Sequence, residues 1–276
     1  LLYEPIAYSL EERGKRIRPV ALLMACSAFR GGIDAAKPAA MAIEVFHNFT
    51  LLHDDIMDRS DMRRGKPAVH TRWNDNVAIL SGDAMMIWAY RLLSQCDEAV
   101  LPQLLAVFTD VAVGVCEGQQ YDMDFESRDD VTVEEYLRMI ELKTAVLLAG
   151  ALKIGALCGG AEPVQAELLY RFGIDLGMAF QLQDDLLDTY GDPAVFGKPV
   201  GGDILVGKKT YLLTTALKAA DLPTRARLLA LLHDAEMASG EKIAAVRAVY
   251  DSLAVRQTEE RVVASYFDEA RQVLRS

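Results

Sequence analysis

The chain is poor in cysteine, tryptophan and histidine. Its 276 residues contain four cysteines, two tryptophans and four histidines. The four cysteines are far apart in sequence, and none forms a C-x-x-C pair with another (Cys26, Cys96, Cys116 and Cys158). This spacing excludes a zinc site with closely spaced ligands and a disulfide framework, and it predicts reduced thiols in a cytoplasmic protein.

Positive charge is also scarce, since 29 Lys and Arg residues stand against 40 Asp and Glu residues, giving a net charge of -11. General nucleic-acid binding requires a basic surface, so we expect no nucleic-acid partner. The most apolar stretch, residues 145–160, is interrupted by Lys153 and by glycines. We therefore expect no stable membrane span, and no secretory leader is visible.

Strand signals are few, and aromatic side chains make up only 8% of the residues. The hydrophobic periodicity predicts helices over residues 15–30, 37–59, 75–95, 98–126, 132–158, 163–190, 207–221, 223–236, 238–254 and 256–275. Glycine and proline separate these segments, and no low-complexity linker divides the chain. We predict an all-α fold in which residues 1–276 form a single domain, a large bundle of about ten or more helices around a central apolar cavity.

Two Asp-Asp-x-x-Asp boxes follow long apolar stretches. Their first and last carboxylates are four residues apart, so they lie on one helix face and repel each other. Divalent cations would remove that repulsion, and magnesium prefers a few carboxylates together with water and substrate phosphates. The predicted metal ligands are Asp54, Asp55, Asp58, Asp184, Asp185 and Asp188. The two helices are apolar nearly all round, which predicts that the boxes lie at the mouth of an apolar channel suited to a prenyl chain.

Basic residues near the boxes offer contacts for phosphate. Arg63 and Arg64 follow the first box in a segment that contains glycine and proline, and arginine binds phosphate through a bidentate fork. Lys15 and Arg18 lie at a predicted helix start, where anions are favoured. Two alternatives stay open: Arg63 and Arg64 pair with acidic neighbours at the surface, or the N-terminal cluster is an ordinary basic cap.

Polar residues also interrupt the apolar helices. Lys143-Thr144 and Gln181 stand within such helices, and buried polar groups need partners, so Thr144 and Gln181 either bond each other or a helix carbonyl, or they serve a substrate. His47 lies two turns before Asp54, where a lone histidine is usually structural. The His53-Asp54 doublet also occurs in metal-dependent phosphohydrolases, but the other histidines are not suitably placed for such a site.

The ordered set of motifs resembles the trans-isoprenyl diphosphate synthases, the polyprenyl synthetase family, over residues 14–211. The match comprises Gly14-Lys15-x-x-Arg18-Pro19, the Asp54 box, Arg63-Arg64-Gly65-Lys66-Pro67, Lys143-Thr144, Phe180-Gln181 with the Asp184 box, Gly197-Lys198 and Gly207-Lys208-Lys209-Thr210. A single acidic box is only moderately specific, whereas the complete series in this order is highly specific.

The resemblance implies a reaction and roles for these residues. An allylic diphosphate would be held through about three magnesium ions, with Asp54, Asp58 and Asp184 foremost among the catalytic carboxylates. The allylic substrate would also be bound by Arg63, Lys143, Thr144, Gln181, Lys198 and Lys208. Of these, Lys143, Thr144 and Gln181 would in addition be catalytic and stabilise the allylic carbocation. The second substrate, isopentenyl diphosphate, would bind at Lys15, Arg18, His47 and Arg64. The resemblance also implies a homodimer.

Product length in this family depends on side chains before the first box. Phe49, Thr50 and Phe46 are the fifth, fourth and eighth residues before Asp54, and we expect them to form the floor of the prenyl site. An aromatic residue at position 49 and a box without an insertion resemble short-chain synthases, with C20 slightly favoured over C15. The alternatives are a class I terpene cyclase and a non-catalytic regulatory subunit; the intact second box and the isopentenyl diphosphate residues disfavour both.

Overall fold

The computed structural model describes residues 2–11, 14–29, 32–192 and 200–275, and they are predominantly helical. The predicted all-α fold is confirmed. The helices are α1 (Tyr3–Leu10), α2 (Ile17–Ala28), α3 (Ile33–Met57), α4 (Val69–Arg72), α5 (Asp75–Leu93), α6 (Leu101–Glu126), α7 (Val133–Ile140), α8 (Val146–Cys158), α9 (Pro163–Tyr190), α10 (Gly202–Val206), α11 (Tyr211–Ala219), α12 (Leu222–His233), α13 (Ser239–Ser252) and α14 (Val255–Val273).

Helix positions agree with the periodicity, but several boundaries differ. The short α1 was not predicted, because eight residues give too little periodicity to distinguish a helix from a turn. The predicted helix over 132–158 is divided by a π-helical segment, Glu141–Ala145. The helix predicted over 207–221 begins only at Tyr211, since Gly207 ends the separate helix α10 in a left-handed conformation.

The segment with glycine and proline that follows the first box forms a small hairpin. Strand β1 (Met62–Arg63) pairs antiparallel with β2 (Lys66–Pro67), and Arg63 is opposite Lys66. The two turn residues, Arg64 and Gly65, have positive φ angles of 49° and 79°. A two-residue hairpin turn of this kind requires positive φ at both positions, and glycine supplies the second without strain. The turn sends Arg63 and Arg64 in different directions.

Contacts divide the chain into two compact units. The first comprises Leu1–Asp110 and Gly150–Tyr170, and the second comprises Val111–Ala149 and Arg171–Ser276. Each unit therefore combines two separate stretches of sequence. The single domain and the central apolar cavity stay predictions.

In the first unit, α3 packs against α2 and α5. Its core includes three aromatic rings in series: the Phe46 centroid lies 5.4 Å from that of Phe49 and 5.2 Å from that of Phe108 on α6. Phe46 and Phe108 are each only 1% exposed. Tilted and edge-on ring contacts at this separation add to the stabilisation that the burial of apolar area provides. They hold the middle of α3 in place.

The second unit has two apolar clusters. One surrounds Tyr136 on α7 and includes Met178 and Leu182 of α9, and the other joins α11, α12 and α13 around Leu212 and Tyr250. Helix α7 begins with a capping box in which Thr132 and Glu135 satisfy each other's backbone N–H groups. This fixes the start of the helix that carries Tyr136 towards the second acidic box.

One helix of the described residues, α6, is long and apolar enough by length and composition to cross a membrane, and 33% of its most apolar window is buried. The nearest approach to a span is thus α6 and not residues 145–160, where α8 has only 13 residues. The four cysteines form no disulfide with one another in the structure, and Cys26 and Cys96 are buried.

Candidate active site

The first acidic box forms the C-terminal end of α3, and Asp55 within it is 4% exposed. Its Oδ1 atom accepts hydrogen bonds from Arg63 Nε at 2.8 Å and from Arg63 Nη2. Arg63 Nη2 also lies 3.6 Å from Asp54 Oδ2. Burial raises the pKa of Asp55, while the guanidinium of Arg63 opposes that shift. Arg63 is therefore held against the box, and its binding of a metal-bound diphosphate stays a prediction.

Arg64, the next residue, lies against the N-terminal motif. A Cβ atom placed on Gly14 would be 2.9 Å from Arg64 Nη1, so the guanidinium lies directly against this glycine. The hairpin turn thus separates two adjacent arginines, one at the acidic box and one at the Gly14 segment. The structure brings Arg64 near the predicted isopentenyl diphosphate residues.

Arg18, His47 and Arg64 form a cationic cluster in the first unit. Arg18 Nη1 lies 3.2 Å from His47 Nε2. A guanidinium can only donate, so His47 Nε2 accepts and its proton is on Nδ1. Burial lowers the pKa of His47 well below its usual value, and the charges of Arg18 and Arg64 lower it further. His47 is therefore neutral at pH 7, which reduces repulsion among the cations.

Burial also lowers the pKa of Arg18 to about 10, opposed by the charge of Glu44 and assisted by that of Arg64. The Nε atom of Arg18 is buried and has no hydrogen-bond partner among the described residues. A buried donor needs a hydrogen-bond acceptor, and the surrounding positive charge favours an acceptor that is an anion. Lys15 is exposed beside this cluster.

His53 lies between α3 and α5. Its Nε2 atom is 3.1 Å from the carbonyl oxygen of Ile79, which makes Nε2 the donor. A Cβ atom on Gly82 would lie 2.2 Å from this nitrogen, so the imidazole fills the space above the glycine. Because Nε2 carries a proton, it is not a metal ligand, and this contact disfavours the phosphohydrolase alternative.

The second acidic box lies near the C-terminal end of α9, and its middle residue, Asp185, is 3% exposed. Asp185 accepts hydrogen bonds from Tyr136 Oη and, at 3.0 Å, from Gln181 Nε2. Thr144 Oγ1 in turn donates to Gln181 Oε1 at 3.1 Å. Burial raises the pKa of Asp185 to about 6, against the effects of Tyr136 and Lys208. Thr144 and Gln181 do bond each other, and the chain of contacts continues into the acidic box.

Lys143 and Thr144 lie in the π-helical segment Glu141–Ala145. The extra residue in a π turn alters the direction of the side chains, and such turns are frequent at functional sites. Lys143 Nζ contacts Asp122 Oδ2 on α6 at 2.5 Å. Helix α6 also lies close to the backbone of the π-helical segment: a Cβ atom on Gly118 would be 2.3 Å from the backbone nitrogen of Lys143. The backbone at Lys143 is thus fixed from α6.

Asp203 on α10 is a candidate site residue that the sequence did not indicate. Its N–H donates to Asp188 Oδ2 at 3.0 Å, and its carbonyl oxygen accepts from Lys208 N at 2.9 Å. Burial raises the pKa of Asp203 to about 7, with Lys208 opposing and Asp188 contributing to the shift. The sequence feature that could have indicated Asp203 is its place five residues before Lys208 in a segment that contains glycine. Lys198, predicted for the allylic diphosphate, lies outside the described residues.

Glu259 on α14 is a buried acid in the same unit as the second box. It is 0% exposed, and neither carboxylate oxygen has a hydrogen-bond partner in the described part of the chain. Burial raises its pKa to about 10, and the charge of Asp185 contributes. The folded protein therefore holds Glu259 in its neutral form at pH 7.

This burial predicts a stabilising substitution, Glu259→Gln. Folding at pH 7 requires Glu259 to take up a proton, whereas the amide is already neutral. We expect Glu259→Gln to raise the free energy of unfolding by about 2 kcal/mol at pH 7. The gain should shrink as the pH falls and vanish near pH 4, where the unfolded glutamate is also protonated. Urea unfolding at the two pH values measures it; an equal gain at both would contradict the assignment.

Both boxes fit a hard divalent cation by their chemistry and position. They occupy the C-terminal parts of α3 and α9, where the helix dipole disfavours carboxylates and favours cations. Among residues 2–11, 14–29, 32–192 and 200–275 no three His, Cys, Asp or Glu side chains already converge as a metal site. The middle aspartates are bonded to protein donors, Asp55 to Arg63 and Asp185 to Tyr136. The outer aspartates of each box are less buried than Asp55 and Asp185, which makes them the better candidate ligands for a cation that also binds water and substrate.

The predicted floor residues lie on different faces of α3. Phe49 is 8% exposed, and its ring centroid is 4.8 Å from that of His53, on the side that meets α5. Thr50 is one turn before Asp54 on the same face, and its hydroxyl donates to the carbonyl oxygen of His47 at 2.8 Å. Phe46 lies about one turn before Phe49 on the same face of α3, and the two rings are in contact.

Known proteins are similar to this chain in sequence and in fold. The model of the polyprenyl synthetase family matches residues 1–251. The chain belongs to the polyprenyl synthetase family. A geranylgeranyl diphosphate synthase of Methanosarcina mazei is 45% identical over 219 residues, which are 79% of this chain and 68% of that protein. Other curated relatives are named short-chain isoprenyl or farnesyl diphosphate synthases.

Solved structures of prenyl synthases are similar to this chain over nearly its full length. A crystal structure of a geranylgeranyl pyrophosphate synthase has a TM-score of 0.95 and 45% identity, covering 99% of this chain and 85% of that one. A synthase from Corynebacterium glutamicum, complexed with isoprenyl diphosphate and magnesium, has a TM-score of 0.87 and 29% identity, covering 99% and 84%. The predicted family and enzyme class, a trans-prenyltransferase, are confirmed.

Proposed function

We propose that this enzyme condenses isopentenyl diphosphate head to tail with an allylic diphosphate, in a magnesium-dependent reaction that gives a short all-trans product. The observation that supports the proposal is that α3 bears an acidic box at its C-terminal end and contributes a separate residue to a cationic cluster two turns earlier. Its C-terminal end bears Asp54 and Asp58, which would bind a diphosphate through metal, and His47 two turns earlier belongs to the metal-free cluster with Arg18 and Arg64. Two such sites suit two diphosphate substrates.

The allylic diphosphate would be bound by the outer carboxylates, Asp54, Asp58, Asp184 and Asp188, through about three magnesium ions. Bound magnesium would neutralise the charge that develops on the leaving diphosphate. Asp55 and Asp185 would act differently from our first expectation, as acceptors that fix Arg63 and Gln181. Arg63, Lys198 and Lys208 would add positive charge around the same diphosphate.

In the proposed reaction, the bond between C1 and oxygen of the allylic substrate breaks, and the electron pair leaves with the diphosphate. Thr144 Oγ1, Gln181 Oε1 and the Lys143 carbonyl oxygen are polar atoms that would stabilise the carbocation. The double bond of isopentenyl diphosphate attacks C1, and the proton lost from C2 goes to the departing diphosphate. Arg18, His47, Arg64 and Lys15 would hold the second substrate in register for this attack.

A class I terpene cyclase is the main alternative chemistry. It would use a metal-bound allylic diphosphate but would have no need of a second diphosphate pocket. The buried donor of Arg18 and the contact of Arg64 with Gly14 favour two substrates. Members of the family named above are synthases, and none of them is named a cyclase.

We further propose a cytoplasmic homodimer. Helix α5 exposes Ile79, Leu80 and Ile87 at 44%, 58% and 66%, and α6 exposes Val113 at 52%. Exposed apolar side chains along helices indicate a protein interface, and a second copy of this chain would cover them. Such burial would also explain why α6 is apolar without being mostly buried.

An elongation assay tests the function. The purified protein, magnesium and labelled isopentenyl diphosphate are incubated separately with dimethylallyl, geranyl and farnesyl diphosphate, and products are sized by mass spectrometry. We expect magnesium-dependent elongation, with C20 slightly favoured over C15 as the main product. Release of diphosphate without incorporation of label would support a cyclase, and no reaction with any primer would refute the proposal.

Phe49→Ala should lengthen the product. Removing the ring empties space beside Phe46, about one helical turn (about 5 Å) before the first box, into which a growing chain could extend. Mass spectrometry should show longer prenyl diphosphates than those of the unaltered enzyme. Phe125→Ala is the control, because Phe125 is also buried but lies in the second unit's core. Unchanged product lengths for Phe49→Ala would contradict the floor assignment.

A further inference from the structure

Arg16 adopts an unusual backbone conformation beside the cationic cluster. It has φ 51° and ψ 34°, in the left-handed region, and it is the residue before the first turn of α2. A non-glycine residue adopts this conformation only when its surroundings hold it there. Helix α2 starts at the next residue, Ile17. The conformation of Arg16 therefore determines the position of Arg18 in the first turn of α2.

The contacts that hold Arg16 are made by its side chain. Nη1 donates to Glu44 Oε1 on α3, and Nη2 donates to the carbonyl oxygen of Leu10 at 2.6 Å. The guanidinium therefore ties the end of α1 and the start of α2 to the middle of α3. One carboxylate oxygen on α3 anchors the segment that carries the Gly14–Pro19 motif.

Glu44 is itself fixed. Asn48, 1% exposed, donates through Nδ2 to Glu44 Oε1 at 2.9 Å and to the Glu44 carbonyl oxygen at 2.8 Å. The Glu44 side chain is 15% exposed, so its charge is only weakly screened by water. It stands one turn before His47 on α3.

The charge of Glu44 also acts on Arg18, whose pKa it raises against the larger effect of burial. Glu44 therefore offsets repulsion between Arg16, Arg18 and Arg64. A negative group beside an anion pocket would weaken binding if it faced the ligand. The Glu44 carboxylate instead accepts hydrogen bonds from Arg16 and Asn48, so its effect is to hold the cationic side chains in place.

We propose that Glu44 is a positioning residue for isopentenyl diphosphate, acting through Arg16 and Arg18; this inference rests on the proposed function. Without the charge at Glu44, its contact with Arg16 loses the ion-pair attraction, so the Gly14–Pro19 segment is held less firmly and Arg18 is positioned less well beside His47. Glu44 would influence the second substrate and leave the allylic substrate unaffected.

Glu44→Gln isolates the charge, because the amide oxygen still accepts from Arg16 and Asn48. We expect the KM for isopentenyl diphosphate to rise about tenfold, with kcat and the KM for the allylic diphosphate within about twofold of the unaltered enzyme. Glu44→Asp, which keeps the charge, should have a smaller effect. Asp34→Asn on the same helix is the control, since Asp34 pairs with Lys37 at an exposed position.

A double-mutant cycle tests the route through Arg16. If Glu44 acts through Arg16, adding Arg16→Gln to Glu44→Gln should raise the KM for isopentenyl diphosphate little beyond the larger single effect. Calorimetric titration with isopentenyl diphosphate alone should show the same loss of affinity.

An unchanged KM in Glu44→Gln, or an equal rise for both substrates, would overturn the inference while leaving the proposed function intact. An unaltered enzyme that neither binds isopentenyl diphosphate nor elongates a primer would overturn both.

Discussion

Asp54→Asn should lower kcat by on the order of 10²–10³, the loss seen when one group that stabilises developing charge is removed. The substitution keeps the size of the side chain and removes the charge that a divalent cation needs. Asp54 lies on the face of α3 shared with Asp58, and Arg63 Nη2 is 3.6 Å from its Oδ2 atom. The magnesium concentration needed for half-maximal rate should rise together with the loss of kcat.

The control for Asp54→Asn is Asp61→Asn, the same chemical change at an exposed position seven residues later. It should leave kcat and the magnesium dependence unchanged. Steady-state rates over a range of magnesium concentrations, with both substrates saturating, measure the effect. If Asp54→Asn kept full kcat at the same magnesium requirement, the first box would not be the metal site.

Gly118→Ala should destabilise the second unit and reduce activity together. The added methyl group would lie 2.3 Å from the backbone nitrogen of Lys143 and 2.7 Å from its Cα atom, and backbone cannot yield as a side-chain end can. We expect the free energy of unfolding to fall by about 3 kcal/mol. The π-helical segment would shift with it, and the contact of Thr144 with Gln181 would be lost, lowering kcat at least about tenfold.

Gly240→Ala is the matched control, because Gly240 lies in α13 and no atom is within 4 Å of a Cβ placed there. Alanine is a better helix former than glycine, so this variant should be as stable as the unaltered enzyme or more so. Thermal unfolding and elongation rates of the two variants decide the matter. If Gly118→Ala left the unfolding temperature and kcat unaltered, the close approach of α6 to the π-helical segment would not be needed for stability or activity.

Much of the fold followed from local sequence. The 3.6-residue periodicity placed α3, α5, α6 and α9, because long helices with apolar faces repeat their signal over many turns. The same reasoning missed α1, which has eight residues, and the hairpin at Met62–Pro67. A two-residue turn depends on backbone angles at Arg64 and Gly65, for which hydrophobic pattern carries no signal.

The sequence by itself determined the chemistry of this protein: paired acidic boxes that repel without cations, separate basic motifs in a fixed order, and a helical fold without zinc-type cysteines. Tertiary structure alone decided how each residue is used. Asp55 and Asp185 look equivalent to their neighbours in sequence but are bonded to Arg63 and Tyr136. The reason is physical, since partners distant in sequence determine burial, hydrogen bonding and pKa, and no local pattern encodes which partners will meet.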